Sequence, residues 1–155
     1  MTSHTSITIL GAITKTGSFI LENLAALDIN ILLIAAGDEE HAQINRLLTS
    51  VKPRARTMVQ QCAREGCWEG DIILIATHPS NLSGIDHIKD VVTQKTVVVF
   101  HDDETIQSLL PHSRIVKATV KEGGFSLESH HEEALSDVED LFQSAGFGLD
   151  KVFTH

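Results

Sequence analysis

Ile7-Thr8-Ile9-Leu10-Gly11-Ala12-Ile13-Thr14-Lys15-Thr16-Gly17 is an apolar, β-branched run that breaks into a glycine-bounded loop. Directly after it, Ile20, Leu21, Leu24, Ala25 and Leu27 recur on one face at helical spacing. Strand, glycine turn and helix in immediate succession open a nucleotide-binding unit. The turn lets backbone approach a pyrophosphate, and the helix N-terminus meets it with unpaired N–H groups and partial positive charge. The spacing is G-x-x-G-x-x-G, with Gly11 and Gly17 at its ends and Thr14 in the middle position. A G-x-G-x-x-G register fails, because Ile13 and Thr16 stand where two of its glycines belong. The middle glycine gives backbone its close approach to phosphate. Thr14 therefore either narrows the site or offers a hydroxyl donor. The bland alternative is a tight strand-to-helix turn that holds no ligand.

Outward from this stretch, strands and helices alternate through residue 110. Residues 29–34 form a second apolar, β-branched run, and a helix opens at Asp38-Glu39-Glu40, acids that suit a helix dipole. Ile44, Leu47 and Leu48 supply its apolar face, and Pro53 interrupts it. Residues 55–59 predict a short third strand and 62–68 a short helix. Gly70-Asp71 introduces the strongest strand, residues 72–76, and His78-Pro79-Ser80-Asn81 a loop that caps a helix reaching about residue 92. Residues 96–100 are the fifth strand. Such continuous apolar strands indicate a parallel sheet covered on both faces.

The pattern then changes. Residues 114–120 predict a sixth strand, 121–124 a turn, and 125–128 a seventh strand antiparallel to its neighbour. A helix over residues 131–145 buries Leu135, Val138, Leu141 and Phe142, and Gly146-Phe147-Gly148 stops it. Val152-Phe153 is a final edge strand. The expected architecture is a doubly wound, mostly parallel α/β sheet of Rossmann-like type, with helices on both faces and an antiparallel C-terminal strand.

Composition narrows the function classes. A chain of 155 residues, 42% hydrophobic and 21% charged, makes one domain of an ordinary globular protein. No apolar run approaches a membrane span, and Met1-Thr2-Ser3-His4 has none of the regions of a signal peptide, so the expected location is the cytoplasm. Cys62 and Cys67 are too far apart for C-x-x-C and lack a second ligand pair. The net charge of −9 argues against nucleic acid or an anionic membrane as partner, while an anionic cofactor needs only local positive potential. Lys15, inside the turn, is better placed for that than Arg46, Arg54 or Arg56.

Four segments in order carry a family likeness: I-T-I-L-G-A-I-T-K-T-G, W-E-G-D-I-I-L-I-A-T-H-P, L-L-P-H-S-R-I-V-K-A-T-V and E-A-L-S-D-V-E-D-L-F-Q-S-A-G-F. With them the chain resembles the coenzyme F420-dependent NADP oxidoreductases, small proteins related to the N-terminal domains of pyrroline-5-carboxylate reductases. The resemblance spans nearly the whole chain and implies a nicotinamide dinucleotide as cofactor. It also implies that the loop after the fourth strand lies beside the nicotinamide. Two departures stand out. The turn has fewer glycines, and Ala35-Ala36-Gly37-Asp38 replaces the Ser-Arg or similar pair that meets a 2′-phosphate in NADP-preferring members. Asp38 favours a free ribose hydroxyl, whereas Lys15 pulls the other way, so NAD and NADP both stay open.

Ligands of an open parallel sheet bind outside the carboxyl ends of its strands. The expected cofactor site is therefore Gly11, Ala12, Ile13, Thr14, Lys15, Thr16 and Gly17, then Ala36 and Asp38, then Ala76, Thr77, His78 and Pro79. His78 and His101 follow neighbouring strands and are the candidate proton donors, with capping or solvent exposure as the plain alternative. Thr119 ends the sixth strand on the same side. His78 and His101 together with Asp102 and Asp103 could make a His/carboxylate metal site, although nothing in the spacing demands one, and His130-His131 is expected on the surface. Without any tyrosine, the Tyr/Lys relay of short-chain dehydrogenases is impossible, and neither a G-x-S-x-G elbow nor a Walker loop occurs.

The expected function is hydride transfer between NADP or NAD and a second cofactor or small substrate. The alternative is a non-catalytic dinucleotide-binding or protein-interaction module on a degenerate version of the fold. Small domains of this kind often pair through an edge strand or helix, which makes a homodimer the assembly to test.

Overall fold

The computed structural model describes residues 5–77, 87–100, 105–122 and 124–153. In chain order its elements are β1 (Ser6–Leu10), α1 (Lys15–Leu24), β2 (Asn30–Ile34), α2 (Asp38–Val51), β3 (Arg56–Gln60), α3 (Ala63–Glu69) and β4 (Ile72–Ile75). They continue with β5 (Thr96–Val99), α4 (Thr105–Leu109), β6 (Arg114–Lys121), β7 (Gly124–Ser129), α5 (Glu132–Ser144) and β8 (Gly148–Phe153). The strands form one sheet in the order β3-β2-β1-β4-β5-β6-β7-β8. Pairing is parallel from β3 to β6, antiparallel between β6 and β7, and parallel again between β7 and β8. The last two strands thus both run against the body of the sheet.

Strand side chains alternate between two buried faces, which is why these runs are apolar throughout. Ile7, Ile9, Ile31, Leu33, Ile72 and Leu74 join the apolar stripes of α1, α2 and α5 in one cluster. Leu10, Ile34, Ile73, Ile75, Val97 and Val99 pack on the other face with Cys67 of α3, Ile106 of α4 and the turns around Ile88–Val92. Thr8 is a polar residue on the β1 face that meets the second layer. It is fully buried, and its hydroxyl donates to the Gly66 carbonyl at 2.7 Å.

Five phenylalanines gather where β5, β7, α1 and α5 meet. Phe125 lies 5.2 Å from Phe142 and 5.0 Å from Phe147 between ring centroids, with Phe19 and Phe100 at the margin. Each fully buried side chain of this size stabilises the fold by roughly 1.5–3 kcal/mol. This cluster therefore anchors the reversed strands to the parallel body.

Several boundaries differ from expectation. The described residues between β4 and β5, from His87 onward, are hydrogen-bonded turns rather than a regular helix. The expected start of that helix lies outside the described residues. β8 is six residues long, not two. Gly148 is its first residue rather than part of the helix stop, and the stop itself is Gly146, at φ +89°. Thr119 lies inside β6 opposite Ser126. His130 and His131 are both exposed, as expected.

Lys95, at the entrance to β5, closes the far end of α3. Its ammonium donates to the carbonyls of Cys67 (2.8 Å), Gly70 (2.7 Å) and Trp68, and lies over the Trp68 ring. These are carbonyls that a helix end leaves unsatisfied. Among the described residues, no helix is long and apolar enough to cross a membrane.

Candidate functional site

The glycine turn sits at the carboxyl edge of the sheet, between β1 and α1. Gly11 has φ +86°, a left-handed conformation, and a Cβ there would stand 2.6 Å from the Thr77 nitrogen. Both constraints require glycine. Gly17 is required for a different reason: its Cβ would lie 2.0 Å from the Gly11 carbonyl oxygen, so α1 packs directly on the turn.

Thr14 holds the two glycines in register. It is the N-cap of α1, and its hydroxyl accepts from Gly17 N at 3.0 Å while donating to Gly11 O at 2.7 Å. The hydroxyl is thus committed to the turn itself. Lys15 and Thr16 follow as the first two residues of α1, and their N–H groups have no acceptor within the helix. No acidic side chain occupies the first turn of α1 to quench its dipole.

Beside this turn a cavity of about 320 Å³ opens across the ends of the first four strands. Leu10, Gly11, Ile13 and Thr14 form one wall, Ile34, Ala35 and Ala36 the floor after β2, and Thr77 the side after β4. Glu40 of α2, Gln61 after β3 and Ala63 of α3 complete it, and none of these three was expected in the site. The signal for Glu40 was available, since it stands one helical turn before the buried Ile44 and so shares the inward face of α2.

The expected residues fall into three groups. Gly11, Ile13, Thr14, Ala36 and Thr77 line the cavity. Ala12 and Ala76 are buried beneath it, Gly17 is buried in the packing of the turn, and Lys15 and Thr16 stand outside the lining on α1. Asp38 is exposed, and its carboxylate accepts from Gln61 Nε2 at 2.9 Å. His78, Pro79 and His101, with Asp102 and Asp103, lie outside the described residues.

Other features of the surface are less suited to an anionic ligand. A larger cavity, about 700 Å³, opens at the amino ends of β4 and β5, with Asp71, Asp137 and Asp140 in its wall. Burial, together with Glu133 and Asp140 nearby, raises the Asp137 carboxyl above its ordinary range. That end offers negative charge and no glycine turn. Near the second layer, Arg64 of α3 donates to both carboxylate oxygens of Asp90 and to the His87 carbonyl. The hydrogen bond from Arg64 holds the Asp90 carboxyl below its usual range. Cys67 is buried and Cys62 exposed, and among the described residues no group of three or more His, Cys, Asp or Glu side chains converges on a metal position.

No family model matches the sequence, and no curated protein does. Solved structures do. A hypothetical protein from Sinorhizobium meliloti aligns over 97% of this chain and 86% of its own at TM-score 0.61 and 19% identity. The 3-hydroxyacyl-CoA dehydrogenase of Archaeoglobus fulgidus aligns over 98% of this chain at TM-score 0.71 and 10% identity, the match spanning 57% of that enzyme. A 6-phospho-alpha-glucosidase from gut microorganisms, solved with NAD and glucose-6-phosphate, aligns over 76% of this chain and 39% of its own at TM-score 0.54 and 12% identity. At these identities the likeness shows the fold, a Rossmann-like α/β sheet.

Proposed function

We propose that this chain is an NAD(P)-dependent oxidoreductase, acting as one dinucleotide-binding domain in the cytoplasm. The observation that carries the reading is the turn formed by Gly11, Thr14 and Gly17. It combines a left-handed glycine, a capped helix N-terminus and a helix packed on the turn, all at the carboxyl edge of a β3-β2-β1-β4-β5-β6 sheet. That is where an open sheet receives a pyrophosphate.

The cavity suits the proposed cofactor. Its 320 Å³ lies at the small end of ligand pockets, which run roughly 300–1,000 Å³, and matches one nucleotide half of a dinucleotide. The N–H groups of Lys15 and Thr16 are the donors for the pyrophosphate, and the exposed Lys15 side chain, on α1 outside the lining, adds positive charge at that end alone. A bound nicotinamide coenzyme supplies the hydride chemistry. The chain positions it and, at the ends of β4 and β5, holds a second cofactor or small substrate near Thr77, with His78 and His101 as proton donors. The folds of a 3-hydroxyacyl-CoA dehydrogenase and of an enzyme solved with NAD support this reading at the level of cofactor class. The motif order supports membership among divergent relatives of the coenzyme F420-dependent NADP oxidoreductases, and a homodimer is the proposed assembly.

Calorimetric titration with NADH, NADPH, NAD and NADP tests the proposal against a Gly11→Val control. Micromolar binding that the substitution abolishes is the expected result. Absence of binding to all four would sink the oxidoreductase reading and leave an interaction module on the same fold.

A further inference from the structure

The first turn of α2 carries three consecutive carboxylates, Asp38, Glu39 and Glu40, and the fold gives them different surroundings. Asp38 is exposed and held by Gln61 at 2.9 Å. Glu39 is exposed and absent from the cavity wall. Glu40 alone of the three is partly buried and lines the cavity, because it precedes the fully buried Ile44 by four residues on the inward face of the helix. No hydrogen bond or ion pair among the described residues engages its carboxylate.

The floor beside it explains why that carboxylate matters. Ala35 and Ala36 follow β2 and have no side-chain group able to bond a sugar hydroxyl. Glu40 and Gln61 are the polar side chains at this end of the cavity, Thr14 and Thr77 belonging to the β1 and β4 side. Among the described residues, no lysine or arginine lines it.

We infer that Glu40 is the specificity-determining residue of this crevice, accepting hydrogen bonds from the adenosine ribose hydroxyls and rejecting a 2′-phosphate. This rests on the dinucleotide reading above and sharpens it to the unphosphorylated coenzyme, NAD(H). A carboxylate accepts from a vicinal diol on both oxygens, whereas a phosphate at the same position places like charges together at a half-buried site. Lys15 does not offset this, since it stands on α1 outside the cavity lining.

The test uses ADP-ribose and 2′-phospho-ADP-ribose, which report on the ribose end without the nicotinamide. Wild-type protein should bind ADP-ribose at least about tenfold tighter, the ratio expected of one like-charge contact that water screens incompletely. Glu40→Gln should bring the two affinities to within about threefold of each other, while Glu39→Gln, which removes the same charge from an exposed position off the cavity wall, keeps the wild-type ratio. An unchanged melting temperature shows that each variant is folded. Equal or tighter binding of the phosphorylated probe by wild type overturns the inference, as does a ratio that falls alike in both variants. Either of those results leaves dinucleotide binding intact. Failure of both probes to bind, with NADH and NADPH also silent, removes the dinucleotide reading and this one together.

Discussion

Thr14 occupies the position where a pyrophosphate turn most often has glycine, and its hydroxyl shows how the turn manages without one. By accepting from Gly17 N and donating to Gly11 O it closes a ring of three residues that a glycine would leave loose. Thr14→Ala should therefore destabilise the protein by about 1 kcal/mol, the usual cost of a lost N-cap, and Thr14→Ser should retain most of that. Urea denaturation of the two variants checks it, and equal midpoints for alanine and serine would show that the hydroxyl contributes nothing. The sequence alone offers Thr14 as obstruction or donor, and its use as a cap is legible only from its place just before an apolar helical stripe. The acids of α2 show the opposite limit. Their run is visible in the sequence, but which carboxylate turns inward depends on helix phase relative to Ile44, and Asp38 is the one a reader of motifs selects.

At the level of elements, the parallel body was legible because burial on both faces leaves β-branched runs with few polar interruptions. The reversed strands were less so. Gly148, Leu149, Asp150 and Lys151 include residue types depleted from strands, and pairing with β7 overrides that preference. Gly124 and Gly148 meet at the start of this pair, so tightly that a Cβ on Gly124 would fall 1.8 Å from Gly148 O. Gly124→Ala should force β7 and β8 apart there and cost about 1–3 kcal/mol. Amide exchange should then accelerate in β8 well before β1, and uniform acceleration across the sheet would contradict the local account.

For the whole molecule, the two layers differ in chemistry: phenylalanines fill one, and the other holds Cys67 beside the end of α3. Burial pushes that thiol from an ordinary 9.0 up to about 12. Below pH 9 both folded and unfolded chains keep it protonated, and its contribution to stability is complete. Between 9 and 12 the unfolded thiol ionises while the folded one does not, so stability declines as pH rises through that window. Denaturation near pH 8 and about pH 10.5 should show the loss in wild type and a smaller one in Cys67→Ala. Equal losses would mean that the thiol is not linked to folding.

The grip of Lys95 on three carbonyls has a consequence of another kind. Acylating reagents need access to the amine, and although burial lowers the pKa of this one, it is partly buried and its N–H groups are turned into carbonyls at a helix end. It can react only when α3 lets go of β5. Its acylation rate, set against that of the exposed Lys15 or Lys52, is therefore a direct gauge of how often the layer beneath the crevice breathes.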